Sequence, residues 1–211
     1  MKVKICGITQ ESDALFCEKI GVEYLGFNFF KLSKRYIYPE KAREIISSLR
    51  NAKAIGVFVE PEIDHIEKIV GFCNLSGIQI YADQSVEFCN RIRKLFPKSI
   101  VIQAFRIRNT IPENILAFES DYFLFDSFDP EMPGGTGKTF NWNILPLIEP
   151  VAHKSFIAGG INPDNIDKLF SSITPFGIDI ASGVEKSPGI KDKEKIKKIM
   201  ERVTRFNEKN T

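Results

Sequence analysis

The sequence is poor in the residues that metal centres and disulfide frameworks need, with four cysteines and two histidines in 211 residues. No CxxC pair joins Cys6, Cys17, Cys73 and Cys89, and His65 and His153 lie far apart, so no metal-ligand spacing appears. An excess of one charge is also missing. Lys and Arg number 29 against 27 Asp and Glu, and a net charge of +2 offers no field for a polyanion such as nucleic acid. No window approaches 18 consecutive apolar residues, and the chain opens directly into Val3-Lys4-Ile5 without a charged-then-apolar leader. These absences predict a reduced, cytoplasmic protein with no membrane partner. No linker or low-complexity tract divides the chain, so one domain over residues 1–211 is expected. With 43% hydrophobic and 27% charged residues, disorder is excluded as the main state.

What is present is a repeated alternation. Apolar, β-rich runs occur at Val3–Cys6, Tyr24–Phe29, Ala54–Val59, Gly77–Tyr81, Ile100–Phe105, Tyr122–Asp126, Lys154–Ala158 and Ile178–Ala181. Several are continuous rather than alternating, as in Ile55-Gly56-Val57-Phe58-Val59, which suits parallel strands buried on both faces. Between most of them lie stretches of helical period, such as Ile63, Ile66, Ile69 and Val70. Pro39, Pro61 and Asn162-Pro163 read as helix starts, and Ile111 to Glu119 as the weakest helix. The last helix, Asp192 to Phe206, gathers Ile196, Ile199, Met200, Val203 and Phe206 on one face and turns its lysines to water. Strand ends recur about every 25 residues, and eight such units fit a single-domain (β/α)₈ TIM barrel, an α/β fold, at its compact limit. A doubly wound open sheet also alternates strand and helix, but it usually uses five or six strands in this length.

Barrels of this kind place chemistry at the C-terminal ends of the strands. Those ends carry Cys6, Asn28, Asp83, Arg106, Asp126, Gly159-Gly160 and Ser182-Gly183. Strands one and six would lie on opposite sides of the ring, leaving room for a substrate between Cys6 and Asp126. The two glycine pairs follow strands seven and eight, where bare backbone N–H groups and a helix terminus favour an anion, so a phosphorylated small molecule is expected. Asp126 ends an apolar run, where a carboxylate is costly to bury without a partner or a role. Cys6 precedes Gly7 at a strand end, where a neighbouring cation could make its thiol a base or nucleophile, although a strand cysteine can equally be inert packing. Cys17, Cys73 and Cys89 read as core. Pro133-Gly134-Gly135-Thr136-Gly137-Lys138-Thr139 looks like a nucleotide-binding P-loop, but Met132 stands where the spacing requires glycine. A glycine-rich lid over the barrel mouth fits this loop better. Ser33-Lys34-Arg35-Tyr36 brings cations to the same rim, where arginine's fork suits a carboxylate.

Lys4-Ile5-Cys6-Gly7-Ile8-Thr9, Ser33-Lys34-Arg35-Tyr36, Gly134-Gly135-Thr136-Gly137-Lys138-Thr139-Phe140 with Trp142, Ala158-Gly159-Gly160-Ile161-Asn162-Pro163, and Gly177 to Glu185 with Pro188-Gly189 follow one another in an order that resembles the phosphoribosylanthranilate isomerase family of tryptophan biosynthesis. The resemblance implies an Amadori rearrangement of N-(5′-phosphoribosyl)anthranilate to 1-(2-carboxyphenylamino)-1-deoxyribulose 5-phosphate, with no metal or organic cofactor, by a monomer or homodimer. It implies Asp126 as general acid at the ribose ring oxygen and Cys6 thiolate as base at C2′. It further implies Arg35 on the anthranilate carboxylate, Gly159, Gly160, Ser182 and Gly183 around the phosphate, and Asp179 near the sugar hydroxyls.

The chain departs from the family after strand four. Tyr81 stands where histidine is usual and Ala82 where glycine is usual, and Gln103 replaces a common cation. These changes keep two other readings open, a phosphosugar-binding barrel of weakened or altered activity and a different sugar-phosphate enzyme on the same fold.

Overall fold

The computed structural model describes residues 1–81, 85–107, 109–127 and 142–210. Eight strands form a closed barrel: β1 (Lys2–Cys6), β2 (Tyr24–Asn28), β3 (Lys53–Val59), β4 (Gly77–Tyr81), β5 (Ile100–Ile107), β6 (Tyr122–Ser127), β7 (Ser155–Ile157) and β8 (Gly177–Ile180). All neighbours are parallel, and β8 returns to β1 through Val3↔Ile178 and Ile5↔Ile180. The ring is therefore the expected (β/α)₈ architecture.

Both faces of the strands are apolar because both are covered. Facing inward, Tyr24, Ile55, Val57, Ile102, Ala104, Leu124 and Phe156 fill the barrel's interior. Facing outward, Val3, Ile5, Leu25, Phe27, Ile78, Ile80, Phe123 and Phe125 belong to the larger core under the helices. Those helices are α1 (Glu11–Lys19), α2 (Pro39–Ser47), α3 (Ile63–Cys73), α4 (Val86–Leu95), α5 (Leu145–Ile148), α6 (Ile166–Phe170) and α7 (Lys193–Lys209). Cys17, Cys73 and Cys89 are buried on α1, α3 and α4. Helix α7 starts at the Asp192 cap, whose carboxylate accepts from the N–H groups of Glu194 and Lys195, and buries Ile196, Ile199 and Val203.

Local details differ from the sequence reading. Pro39 opens α2, but Pro61 lies one residue before the Glu62 cap of α3 and shapes the approach to that helix. Asn162 starts a turn, accepting from Asp164 N at 2.8 Å, and the regular helix begins only at Ile166. Ile111 to Glu119 contains one 3₁₀ turn, Ile115–Ala117. A short antiparallel pair, β9 (Glu185–Ser187) and β10 (Ile190–Lys191), follows β8. Strands β1 and β6 are not diametrically opposed, because only β7 and β8 separate them on one side of the ring.

Candidate active site

Strand periodicity sends Lys4 and Cys6 to the same inner face of β1. Lys4 is fully buried and donates to Asp179 Oδ1 at 2.9 Å, its register partner on β8. Cys6 stands one step higher toward the strand ends. A β-carbon at Gly26, the register partner of Cys6, would lie 2.8 Å from Cys6 Sγ and 3.1 Å from Lys4 Nζ, so thiol and ammonium share one confined space. The thiol keeps some exposure, yet protein atoms dominate its surroundings. That desolvation pushes it above the ordinary thiol value, against the pull of Lys4 and Lys191 and with the push of Asp179. Burial would discharge Lys4, but Asp179 and Cys6 hold it charged and raise its pKa.

Asp126 closes β6 on the inner face and is 4% exposed. Tyr81, at the end of β4, donates its hydroxyl proton to Asp126 Oδ2 at 2.8 Å. Between them runs β5, which places Ala104 beside Tyr81 and Arg106 beside Asp126. The small Ala104 lets the phenol pass, and the Arg106 guanidinium lies 5.4 Å from the Tyr81 ring centroid. Burial, and then the charges of Asp126, Asp179 and Cys6, push the phenol well above its ordinary value, so it remains a proton donor. The same influences place the three side chains in one electrostatic neighbourhood.

Arg35 follows β2 at the rim and is only 9% exposed. Its Nε donates to Glu185 Oε1 and Oε2 at 2.9 and 3.1 Å, and its Nη2 to Oε2 at 2.6 Å. Lys191 Nζ donates to Glu185 Oε1 at 2.8 Å and to the Cys6 carbonyl at 2.5 Å. Burial would raise the Glu185 carboxyl, but Arg35 and Lys191 hold it below the ordinary carboxylate value. Gly7 has φ +76°, and a β-carbon there would fall 2.4 Å from Arg35 Cδ. The Cys6-Gly7 step thus seats the arginine directly beside the thiol's strand end. Glu185 and Lys191 escaped the sequence reading as a unit, although the acid and base flanking Pro188-Gly189 were the available signal.

The loops after β7 and β8 touch. A β-carbon at Gly183 would lie 1.8 Å from the Ile161 carbonyl oxygen, which requires glycine there. Gly160, Ser182 and Gly183 line a cavity of about 400 Å³ with Asn162, Pro163, Asp164, Lys195 and Lys198. Gly159, with φ +89°, shapes the turn leading into it. Lys198, exposed to water as expected for this helix face, and the half-buried Lys195 flank the cavity from α7. Lys195 also donates to the Glu185 carbonyl at 3.0 Å.

The structure therefore gathers Cys6, Asp126 and Asp179 inside the barrel mouth, Arg35 at its rim, and Gly160, Ser182 and Gly183 around one cavity. Gln103 takes no part, since its amide faces outward and accepts from the Cys89 thiol of α4 at 2.7 Å. Ala82, Asp83 and the glycine-rich segment 133–139, expected as a lid, lie outside the described residues. Among the described residues, no group of three or more His, Cys, Asp or Glu could hold a metal ion, and no helix is long and apolar enough to cross a membrane.

Comparison with known proteins identifies the family and the fold. The N-(5′phosphoribosyl)anthranilate (PRA) isomerase family matches residues 3–202. A relative from Crocosphaera subtropica named N-(5′-phosphoribosyl)anthranilate isomerase is 38% identical, covering 98% of this chain and 100% of its own. The crystal structure of phosphoribosyl anthranilate isomerase from Thermus thermophilus superposes with a TM-score of 0.87 at 29% identity, covering 97% of this chain and 99% of that one. A phosphoribosyl anthranilate isomerase in complex with reduced 1-(o-carboxyphenylamino)-1-deoxyribulose 5-phosphate superposes with a TM-score of 0.82 at 32% identity, covering 97% and 98%.

Proposed function

Since the chain belongs to the N-(5′-phosphoribosyl)anthranilate isomerase family, we propose that Cys6 and Asp126 act as the base and acid that convert N-(5′-phosphoribosyl)anthranilate to 1-(2-carboxyphenylamino)-1-deoxyribulose 5-phosphate, a step of tryptophan biosynthesis. Asp126 protonates the ribose ring oxygen. The bond from that oxygen to C1′ breaks as the anthranilate nitrogen lone pair forms a C1′=N Schiff base. The Cys6 thiolate then takes the C2′ proton, and the freed electron pair closes C1′=C2′ while nitrogen is neutralised. The resulting enolamine tautomerises to the ketone as C1′ gains a proton and the C2′ hydroxyl loses its own. The observation that carries this reading is the placement of both groups on the inner face of the barrel mouth, each beside one oriented partner: Lys4 for Cys6, and Tyr81 for Asp126.

Lys4 supports the base electrostatically, because a positive charge beside a desolvated thiol favours the thiolate. Asp179 keeps Lys4 charged and is the candidate for contact with the sugar hydroxyls. Arg35, aligned by Glu185 above Gly7, is the candidate for the anthranilate carboxylate. The cavity between Gly160, Ser182, Gly183, Lys195 and Lys198 suits the phosphate, since close backbone approach and two ammonium groups favour an anion. This chemistry uses side chains alone, in a cytoplasmic protein whose four thiols are free. The test is turnover of freshly generated phosphoribosylanthranilate, followed by loss of its fluorescence, with Asp126→Asn alongside. Turnover abolished in the variant supports the assignment. A folded wild-type protein that binds product but does not turn over overturns it.

A further inference from the structure

We propose that Tyr81 is the residue that positions Asp126 and sets its strength as an acid, acting through the hydroxyl-to-carboxylate hydrogen bond. The inference rests on the reading of Asp126 as general acid. Its basis is geometric. The phenol reaches Asp126 across β5 only because Ala104 leaves the interior open at that level, and the ring is held between Ala104 below and the Arg106 guanidinium. Tyr81 is 8% exposed and its hydroxyl is directed at Oδ2 at 2.8 Å, so the carboxyl plane is fixed before any substrate arrives. The donor matters because burial disfavours the carboxylate that remains once Asp126 has given up its proton, and a hydrogen bond to that carboxylate lets the proton leave more readily.

The donor also bears on the chemical step. When Asp126 gives its proton to the ring oxygen it becomes a carboxylate, and a hydrogen bond donated to that oxygen stabilises the product of the transfer more than its reactant. A phenol suits this role better than a group titrating near neutrality, since it keeps its proton throughout the working range and adds no second charge change to the site. Other charged and titratable groups face the same space among the described residues. These are Cys6 and Lys4 on β1, Arg106 on β5 and Asp179 on β8; β3 presents Val57 and Val59, and β7 is followed there by Ala158. Tyr81 donates a hydrogen bond straight to the Asp126 carboxylate and so acts on it directly.

Tyr81→Phe keeps the ring and removes only the hydroxyl. The pKa that Asp126 contributes to the kcat/KM profile, as the group that must hold a proton in the free enzyme, is expected to move up by about one pH unit, the scale of one hydrogen bond to a charged group. The ¹³Cγ titration of Asp126, read by NMR in the wild type and in Y81F, is expected to move by the same amount. Turnover is expected to fall about tenfold with KM changed less than threefold. A Y81F protein whose kcat/KM profile and Asp126 titration stay at the wild-type positions overturns the inference, even if its rate falls, because loss of packing alone moves neither. Asp126→Asn separates the two claims. If D126N retains wild-type turnover, the acid assignment and the inference fail together. If D126N is inactive while Y81F leaves the titration in place, the inference alone fails.

Discussion

Replacing Glu185 with glutamine removes a carboxylate that bonds both Arg35 and Lys191 while preserving side-chain shape. The three residues are 9%, 7% and 3% exposed, which separates this cluster from surface ion pairs worth about 0–1 kcal/mol. Removing one partner of a buried pair costs roughly 3–5 kcal/mol because the remaining charge is left uncompensated. The lower end, about 3 kcal/mol, applies here because the network borders the barrel mouth and glutamine can still accept one hydrogen bond. For a chain of this length the melting temperature should fall by roughly 6–12 °C, since each kcal/mol is worth about 2–4 °C. The sign of the pH dependence is fixed. Arg35 and Lys191 hold the Glu185 carboxyl below its unfolded value, so its contribution is full above the unfolded pKa of about 4.3 and is lost as pH falls through the folded value. Urea unfolding of wild type and E185Q at pH 7 and pH 3.5 should therefore show the full gap at pH 7 and a smaller one at pH 3.5. KM should rise as well, because Arg35 loses the group that aligns its fork. A loss below about 1 kcal/mol at pH 7 would refute the reasoning, since the cluster would then behave as a solvated surface pair.

Further outcomes follow from single features of the same site and core. Gly183→Ala drives a β-carbon into the Ile161 carbonyl, so the two loops should part and KM should rise at least tenfold with kcat less affected; an unchanged KM would remove those loops from phosphate binding. Gln79 is fully buried on β4, and its amide N and O have no hydrogen-bond partner among the described residues. Gln79→Met should therefore stabilise the fold by about 1–2 kcal/mol, and a measured loss of stability by chemical denaturation would show that the amide is satisfied. The Cys6 thiol is raised by desolvation, so the thiol pKa read from the kcat/KM profile should lie above about 8.5, the value of an unperturbed thiol. A profile with no pKa in that range would contradict Cys6 as the base.

The barrel was legible because its signals are local and repeated. Continuous runs such as Ile55 to Val59 and Tyr122 to Phe125 can be buried on both faces only in a covered parallel sheet, and strand-end counting brought Cys6 and Asp126 to one rim. Less legible was whatever depends on partners distant in sequence. Lys4 reads as a charged residue near the chain's start, and only closure of β1 onto β8 puts it opposite Asp179. Glu185 and Lys191 gain their meaning from a two-stranded turn too short to leave a periodic pattern. Tyr81 stood out as a departure that crowds the mouth, but its bond to Asp126 depends on the side-chain size at Ala104, one strand away. Gln103 shows the opposite error. Its loss of a cation counts in the sequence among the departures that keep an altered activity open, whereas strand parity turns the amide outward to Cys89.

In the proposed function, Cys6 and Asp126 divide the base and acid steps of the rearrangement. The most direct test measures kcat for phosphoribosylanthranilate with wild type, Cys6→Ser and Asp126→Asn, together with the affinity of each for the reduced product analogue. Each variant should lose at least ~10² in kcat while binding the analogue within about tenfold of wild type, the scale expected for losing a general acid or base with the binding site intact. A variant that keeps a rate near that of wild type would contradict the role assigned to its residue.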